Sequence, residues 1–192
     1  HFFSAAHNYF GGNGIVGAQI PIGTGIAFAE KYRGTDLLCV TMFGDGAARQ
    51  GALYESFNMA MTWKLPVLYI CENNQWQAFV HRREAMSRER VADWGASYGI
   101  PVRNVDGNDV FAVLEATREA ASQVRDTRRP ALLEVMTYRT RGHFEPDDQG
   151  YVDKAELAAW LARDPIAICR DRLIAAGRLA PAPGQQLVGV AF

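Results

Sequence analysis

The sequence is poor in cysteine: 3 among 192 residues, Cys39, Cys71 and Cys169, with no metal-ligand spacing between them. Cys39 and Cys71 each lie in an apolar run that reads as a buried strand, so they read as core thiols of a reducing, cytoplasmic compartment. Long apolar runs are missing too, and nothing approaches the roughly 18 residues needed to cross a bilayer, which excludes a membrane-inserted chain. The N-terminus has no basic segment leading into an apolar one, so secretion has no support. Charge of one sign is equally absent, with 20 basic against 21 acidic residues. The nearest basic cluster, Arg82, Arg83, Arg88 and Arg90, reads as a solvated loop and helix start, which argues against nucleic acid as a partner.

What is present is an apolar content of 48%, with 18 glycines, enough for one ordinary globular domain. Both ends are abrupt, since the chain starts at His1 without a methionine and stops shortly after a Pro/Gly turn, so a fragment of a longer polypeptide is expected. Residues 11–25 carry six glycines ahead of a helix-like stretch, 26–32, and a backbone this bare must closely approach another helix or a ligand. Residues 36–43 read as a strand buried on both faces, and 46–63 as a helix with Leu53, Phe57, Ala60 and Met61 on one side. Residues 66–72 repeat the strand signature. Residues 79–90 read as polar and irregular, 89–97 as a helix, 102–105 as a strand, 109–126 as a helix capped by Asp109, and 131–138 as a last strand. The alternation predicts an α/β fold with a mostly parallel sheet and helices on both faces.

The chemistry concentrates in Gly44-Asp45-Gly46, followed after 26 residues (47–72) by Asn73-Asn74. One helix and one strand fit that interval, so Asp45 and Asn74 should emerge at the carboxyl ends of two parallel strands, where open α/β sheets bind ligands. A carboxylate, an amide oxygen and backbone N–H groups at a helix start suit a hard cation such as Mg²⁺ and the diphosphate it neutralises. Taken singly, Gly-Asp-Gly is also a tight turn and Asn-Asn a helix cap. A dinucleotide fold is disfavoured, because the glycine spacing after the strand is wrong and no acid occupies the ribose position.

These motifs, in the stretch FGDGAARQGALYESFNMAMTWKLPVLYICENNQW, together with GGNGIVGAQIPIGTGIAFA, YGIP, VDGNDVFAV and TYRTRGH in the same order, resemble the alpha subunit of heterotetrameric thiamine diphosphate-dependent 2-oxo acid dehydrogenases, of the pyruvate or acetoin dehydrogenase type. The resemblance covers essentially residues 1–170. It implies a thiamine diphosphate and Mg²⁺-binding α/β domain over 1–150, with 151–192 as a helical extension of it. It implies Asp45, Asn74 and the backbone carbonyl of Trp76 as Mg²⁺ ligands, although the family usually has Tyr at the last position and only the carbonyl is required. It implies further that Gly44, Gly46 and Ala47 frame the diphosphate, with Gly46 and Ala47 holding it by backbone N–H groups. Gly14 and Val16 match backbone positions that meet the aminopyrimidine ring, and a helix-packing role for the same segment is compatible with that contact.

His143 matches a catalytic and cofactor-contacting histidine on a loop, and His1 a position near the site; Arg139 resembles an arginine that fastens that loop and reads equally as an exposed charge after a strand, and His7 and His81 read as incidental. Where mitochondrial members carry a phosphorylatable serine after the loop histidine, this chain has Phe144. The implied activity is decarboxylation of a 2-oxo acid, or cleavage of acetoin, with transfer of the acyl equivalent to lipoamide. The implied partners are a beta subunit, in an α2β2 assembly, and a lipoyl-bearing acyltransferase. The carboxylic acid that activates the cofactor's pyrimidine comes from the beta subunit in this family, and nothing here matches it. Phe2, Phe3, Tyr9 and Phe10 offer a surface for a partner or for ordinary core burial. The remaining alternatives are a non-catalytic scaffold that keeps the fold, and branched-chain specificity.

Overall fold

The computed structural model describes residues 2–180. His1, and the part of the expected extension beyond residue 180, lie outside the described residues. Four strands form one parallel sheet: β1 (Cys39–Gly44), β2 (Val67–Asn73), β5 (Val102–Asp106) and β6 (Ala131–Met136), in the spatial order β1-β2-β6-β5. A two-stranded antiparallel ribbon, β3 (Trp76–Gln77) with β4 (Val80–His81), stands beyond the end of β2. The helices are α1 (Gln19–Arg33), α2 (Gly51–Thr62), α3 (Arg82–Ala85), α4 (Val91–Ser97), α5 (Val110–Thr127), α6 (Lys154–Leu161) and α7 (Pro165–Ala175).

Alternation along the strands builds two apolar layers. Val67, Tyr69 and Cys71 of β2 join Phe43 and Leu132 in packing under α1, α2 and α4, with Ile20, Phe57 and Val91 inside that layer. Leu68, Ile70 and Leu133 point the other way, onto Ala116, Ala120 and Val124 of α5. Asp109 caps α5 by accepting from the amides of Phe111 and Ala112 at 3.0 and 3.2 Å. Register sets Gly44 beside Glu72, and Met136 beside both Asn73 and Asp106, so the carboxyl ends of all four strands finish on one rim.

Four expectations need correction, the first being the helix-like stretch over 26–32, which begins at Gln19 inside the glycine-rich run. The first strand runs Cys39–Gly44 and is buried on one face only, with Val40 and Met42 about half exposed, because α5 packs over β2, β5 and β6 and does not reach this edge strand. The predicted helix from residue 46 begins as a single 3₁₀ turn, Ala47–Arg49, and the α-helix starts only at Gly51, after an extended Gln50 (ψ 137°). Residues 79–90 are not irregular: they hold β4 and α3, and Arg82, expected in solvent, is buried.

The glycine-rich run makes its close approach to the sheet as well as to the site. A Cβ on Gly23 would lie 2.6 Å from Cβ of Thr41, so a side chain there would lift α1 off β1, whereas Gly12, Gly14 and Gly25 face open space. Past β6 the chain loops over the rim. It then forms α6, capped by Asp153, and α7, capped by Asp164 with Pro165 in the first turn. Trp160 of α6 stacks on Tyr138 at 5.5 Å, which places this helix against the residues around Trp76.

Candidate active site at the carboxyl rim of the sheet

Asp45 is the first residue beyond β1 and is 1% exposed, yet neither carboxylate oxygen has a hydrogen-bond partner. Burial pushes its carboxyl up to about 6; the backbone amides of Asp45 and Asn74, which lie near it without completing a hydrogen bond, and the Arg82 guanidinium offset part of that rise, and Glu134 adds to it. The amide influence of Asn74 sets the two motif halves side by side. A dry, unpaired carboxylate calls for a cation, and two free acceptor oxygens suit a hard one. Among the described residues no three His, Cys, Asp or Glu side chains converge, so any such ion would need amide, backbone or ligand oxygens as well.

Those oxygens are at hand. Asn74 forms an Asx turn in which its Oδ1 accepts from the Trp76 amide at 3.0 Å, leaving a second lone pair. Gln75 between them has φ of 70°, left-handed for a residue with a side chain. The Arg82 amide donates to the Gln75 carbonyl at 2.9 Å, so Gln75 and Arg82 form a bonded pair at the base of the ribbon. Alternation in an antiparallel ladder makes the next pair, Trp76 and His81, a non-bonded one, and the Trp76 carbonyl is therefore turned away from the ribbon. The indole is clamped edge-on by His81 at 4.9 Å and Tyr151 at 5.1 Å. The donor set thus fits a divalent ion.

Gly46 opens the 3₁₀ turn, and a Cβ there would meet Cγ of Gln77 at 3.3 Å, so the turn and the ribbon nearly touch. Gly17 has φ of 88° and sits where a Cβ would come within 2.8 Å of Gln50 Cγ and 3.6 Å of the Ala47 carbonyl. That contact brings the end of the 11–17 segment beside Ala47, with Gly14 and Val16 exposed just upstream.

His143 is exposed on the loop that leaves β6 at the same rim. Its amide donates to Asp147 Oδ2 at 2.6 Å, its Nδ1 lies 3.4 Å from Arg139 Nη1, and its ring meets Phe79 edge-on at 5.9 Å. Arg139 donates to the Ala78 carbonyl and the Tyr151 hydroxyl, both at 2.8 Å, and its amide donates to the Asn74 carbonyl at 3.1 Å. The loop is thereby tied to the ribbon carrying Trp76. The Tyr151 hydroxyl, with the amides of His143 and Gln149 and the charge of Arg139, holds the Asp147 carboxyl below its ordinary range. Replacing Asp147 with Ala should free the loop, and trypsin should then cleave after Arg141 several-fold faster; an unchanged cleavage rate would show the loop is held by Arg139 alone.

Asp45, Gly46, Ala47, Asn74 and Trp76 come together at the strand tips, with Gly44 at the end of β1; Gly14 and Val16 adjoin through Gly17, and His143 adjoins through Arg139 and Phe79. Sequence reading missed Gln77, Asp147, Tyr151 and a buried set around Glu134. For Glu134 a signal existed: it is the one charge in the apolar strand Ala131–Met136.

The family model for the dehydrogenase E1 component matches residues 1–186, and the chain belongs to that family. Among its relatives is the pyruvate dehydrogenase E1 component subunit alpha of Rhizobium meliloti, 47% identical over 174 residues, which cover 90% of this chain and 50% of the relative. The corresponding subunit of Rickettsia felis is 44% identical over 91% of this chain and 53% of its own length. The human mitochondrial somatic form is 45% identical over 88% of this chain and 43% of its own length. The chain spans about half the length of the curated relatives it matches. No described helix is long and apolar enough to cross a membrane.

Proposed function

We propose that this chain is the cofactor-holding part of the alpha subunit of a thiamine diphosphate-dependent 2-oxo acid dehydrogenase, acting on pyruvate. The observation that carries the reading is the buried Asp45 carboxylate, unpartnered and next to Asn74 at the strand tips. In this reading Asp45, the Asn74 amide oxygen and the Trp76 carbonyl hold Mg²⁺. Gly44 ends the strand so that the backbone N–H groups of Gly46 and Ala47 can meet the diphosphate, an anion site of the kind helix starts provide. Gly14 and Val16 present backbone to the aminopyrimidine ring. When bound, the cofactor supplies a stabilised carbanion for decarboxylation; the protein binds, orients and excludes water.

His143, held by Arg139 and Asp147, then orients the reacting group and takes part in acyl transfer to lipoamide. The aromatic residues Phe2, Phe3, Tyr9 and Phe10 are all more than half exposed, which speaks against core burial and supports their use at a beta-subunit interface in an α2β2 assembly. A lipoyl-bearing acyltransferase is the further partner. The names of the relatives favour pyruvate over acetoin or branched-chain 2-oxo acids.

The decisive experiment is co-expression with a candidate beta chain, followed by assays on pyruvate, branched-chain oxo acids and acetoin. Turnover of pyruvate supports the proposal, turnover of acetoin alone revises the substrate, and no cofactor uptake in the assembly leaves a scaffold. Within an active assembly, His143→Ala is expected to lower lipoamide acylation about 100-fold, on the scale of a lost acid–base group, with cofactor affinity nearly unaltered. Unchanged turnover would remove His143 from the site.

A further inference from the structure

Glu134 is fully buried in the middle of an apolar strand, where a carboxylate is costly unless each oxygen is bonded. Its Oε1 accepts from Asn73 Nδ2 at 2.7 Å and from the Val91 amide at 3.0 Å, and its Oε2 accepts from the Ala92 amide at 2.9 Å. Asn73 in turn accepts on Oδ1 from the amide and from Nε2 of Gln75, at 3.2 and 3.0 Å. Gln75 Oε1 accepts from Nε of Arg82, and Arg82 also donates to the Glu89 carbonyl. A buried acid and a buried base are thus joined through two amides rather than paired directly. The bridge runs through Asn73 and Gln75, the residues on either side of Asn74, and Gln75 also precedes Trp76. A left-handed Gln75 is uncomfortable without such support, and backbone strain of this kind persists only where its surroundings over-determine it.

We propose that Glu134 is a positioning residue: with Asn73, Gln75 and Arg82 it locks the left-handed turn that aims the Asn74 side chain and the Trp76 carbonyl at a common point, and so sets the affinity for magnesium thiamine diphosphate. This rests on the reading that Asp45, Asn74 and Trp76 hold the ion. The geometry gives the four residues separate tasks. Glu134 fixes which way the Asn73 amide faces, because its carboxylate can only accept. With Nδ2 so committed, Oδ1 must face Gln75, and both donors of the Gln75 residue close onto it. Arg82 then takes the remaining oxygen of Gln75, and its charge lies close enough to Asp45 to affect that carboxyl.

The test uses the full chain assembled with its beta subunit, titrated with thiamine diphosphate and Mg²⁺ by calorimetry and by Trp fluorescence, with melting of the cofactor-free assembly measured in parallel. Glu134→Gln keeps the shape and is expected to raise the cofactor dissociation constant about 10- to 100-fold, the usual range for residues that orient metal ligands. The cofactor KM should rise accordingly while kcat at saturating cofactor stays within about threefold of the unaltered enzyme. A lower melting temperature with unaltered affinity would show that Glu134 serves only to cap α4, and would overturn the proposal. Should Glu134→Gln fail to assemble, Gln75→Gly decides: glycine adopts the left-handed turn freely but loses the link to Arg82, and affinity should still fall at least about tenfold. Unchanged affinity there overturns the proposal. If the unaltered assembly takes up no cofactor, the functional reading falls and this inference with it; if it does and both variants match it, only the inference falls.

Discussion

Asp45→Asn should abolish uptake of magnesium thiamine diphosphate and, at the same time, make the cofactor-free chain more stable at neutral pH. Both effects have one cause. A carboxyl whose folded value is about 6 against an ordinary 3.8 keeps its proton in the folded state over an interval where the unfolded chain has lost it. Ionisation therefore favours unfolding, and stability falls as pH rises from about 4 to about 6, then levels off. The loss amounts to about 3 kcal/mol at most. Asparagine cannot ionise, so its gain builds over the same interval and is complete above about pH 6, reduced by about 1–3 kcal/mol for a buried amide that finds no partner. Thermal unfolding of both proteins at pH 4.5 and 7.5 is the check. Wild type should melt at a lower temperature at the higher pH while the variant changes little from this source. A variant that binds the cofactor normally would remove Asp45 from the site. A wild type with no such fall would mean that the carboxylate is already compensated.

Phe57→Ala is the second large effect, expected to cost about 3–5 kcal/mol of stability. Phe57 is fully buried between α2 and the sheet, edge-on to Tyr69 at 5.0 Å and to Tyr98 at 6.1 Å. Truncation leaves a void lined by rings that cannot collapse toward α2 without tilting it. Because α2 continues from the Ala47–Gln50 turn, the variant should also loosen the candidate diphosphate cradle. Denaturant unfolding checks the first claim. A loss of unfolding free energy below about 1 kcal/mol would mean that Tyr98 and Met61 refill the space.

Much of the fold was legible because the apolar runs are short and sharply bounded. Residues 66–72 announced β2 by a series of apolar side chains broken only at its last residue, Glu72, and α5 announced itself by a capping aspartate and a regular apolar face. The edge position of β1 was not legible, since a strand covered on one face by helices and bare on the other carries the same residues as one covered twice. The ribbon Trp76–His81 was missed for a different reason. Strands of two residues have too little alternation to register, and what shapes them is the buried Arg82, whose partners come from Gln75 and Glu89. At the site, Asp45 and Asn74 could be paired from spacing because one helix and one strand fill the interval. Glu134 could not, since its partners come from β2 and from the start of α4, far away in the sequence.

The bare side of β1 has a practical meaning. Among the described residues β2 is the only strand that pairs with this one, so its other margin has no partner strand, and Val40 and Met42 are half exposed on its bare face. Such a margin templates further chains. Prepared by itself at high concentration, the polypeptide should stick to its own kind through that border, and a lysine at position 40 or 42 is the simplest way to keep it dispersed.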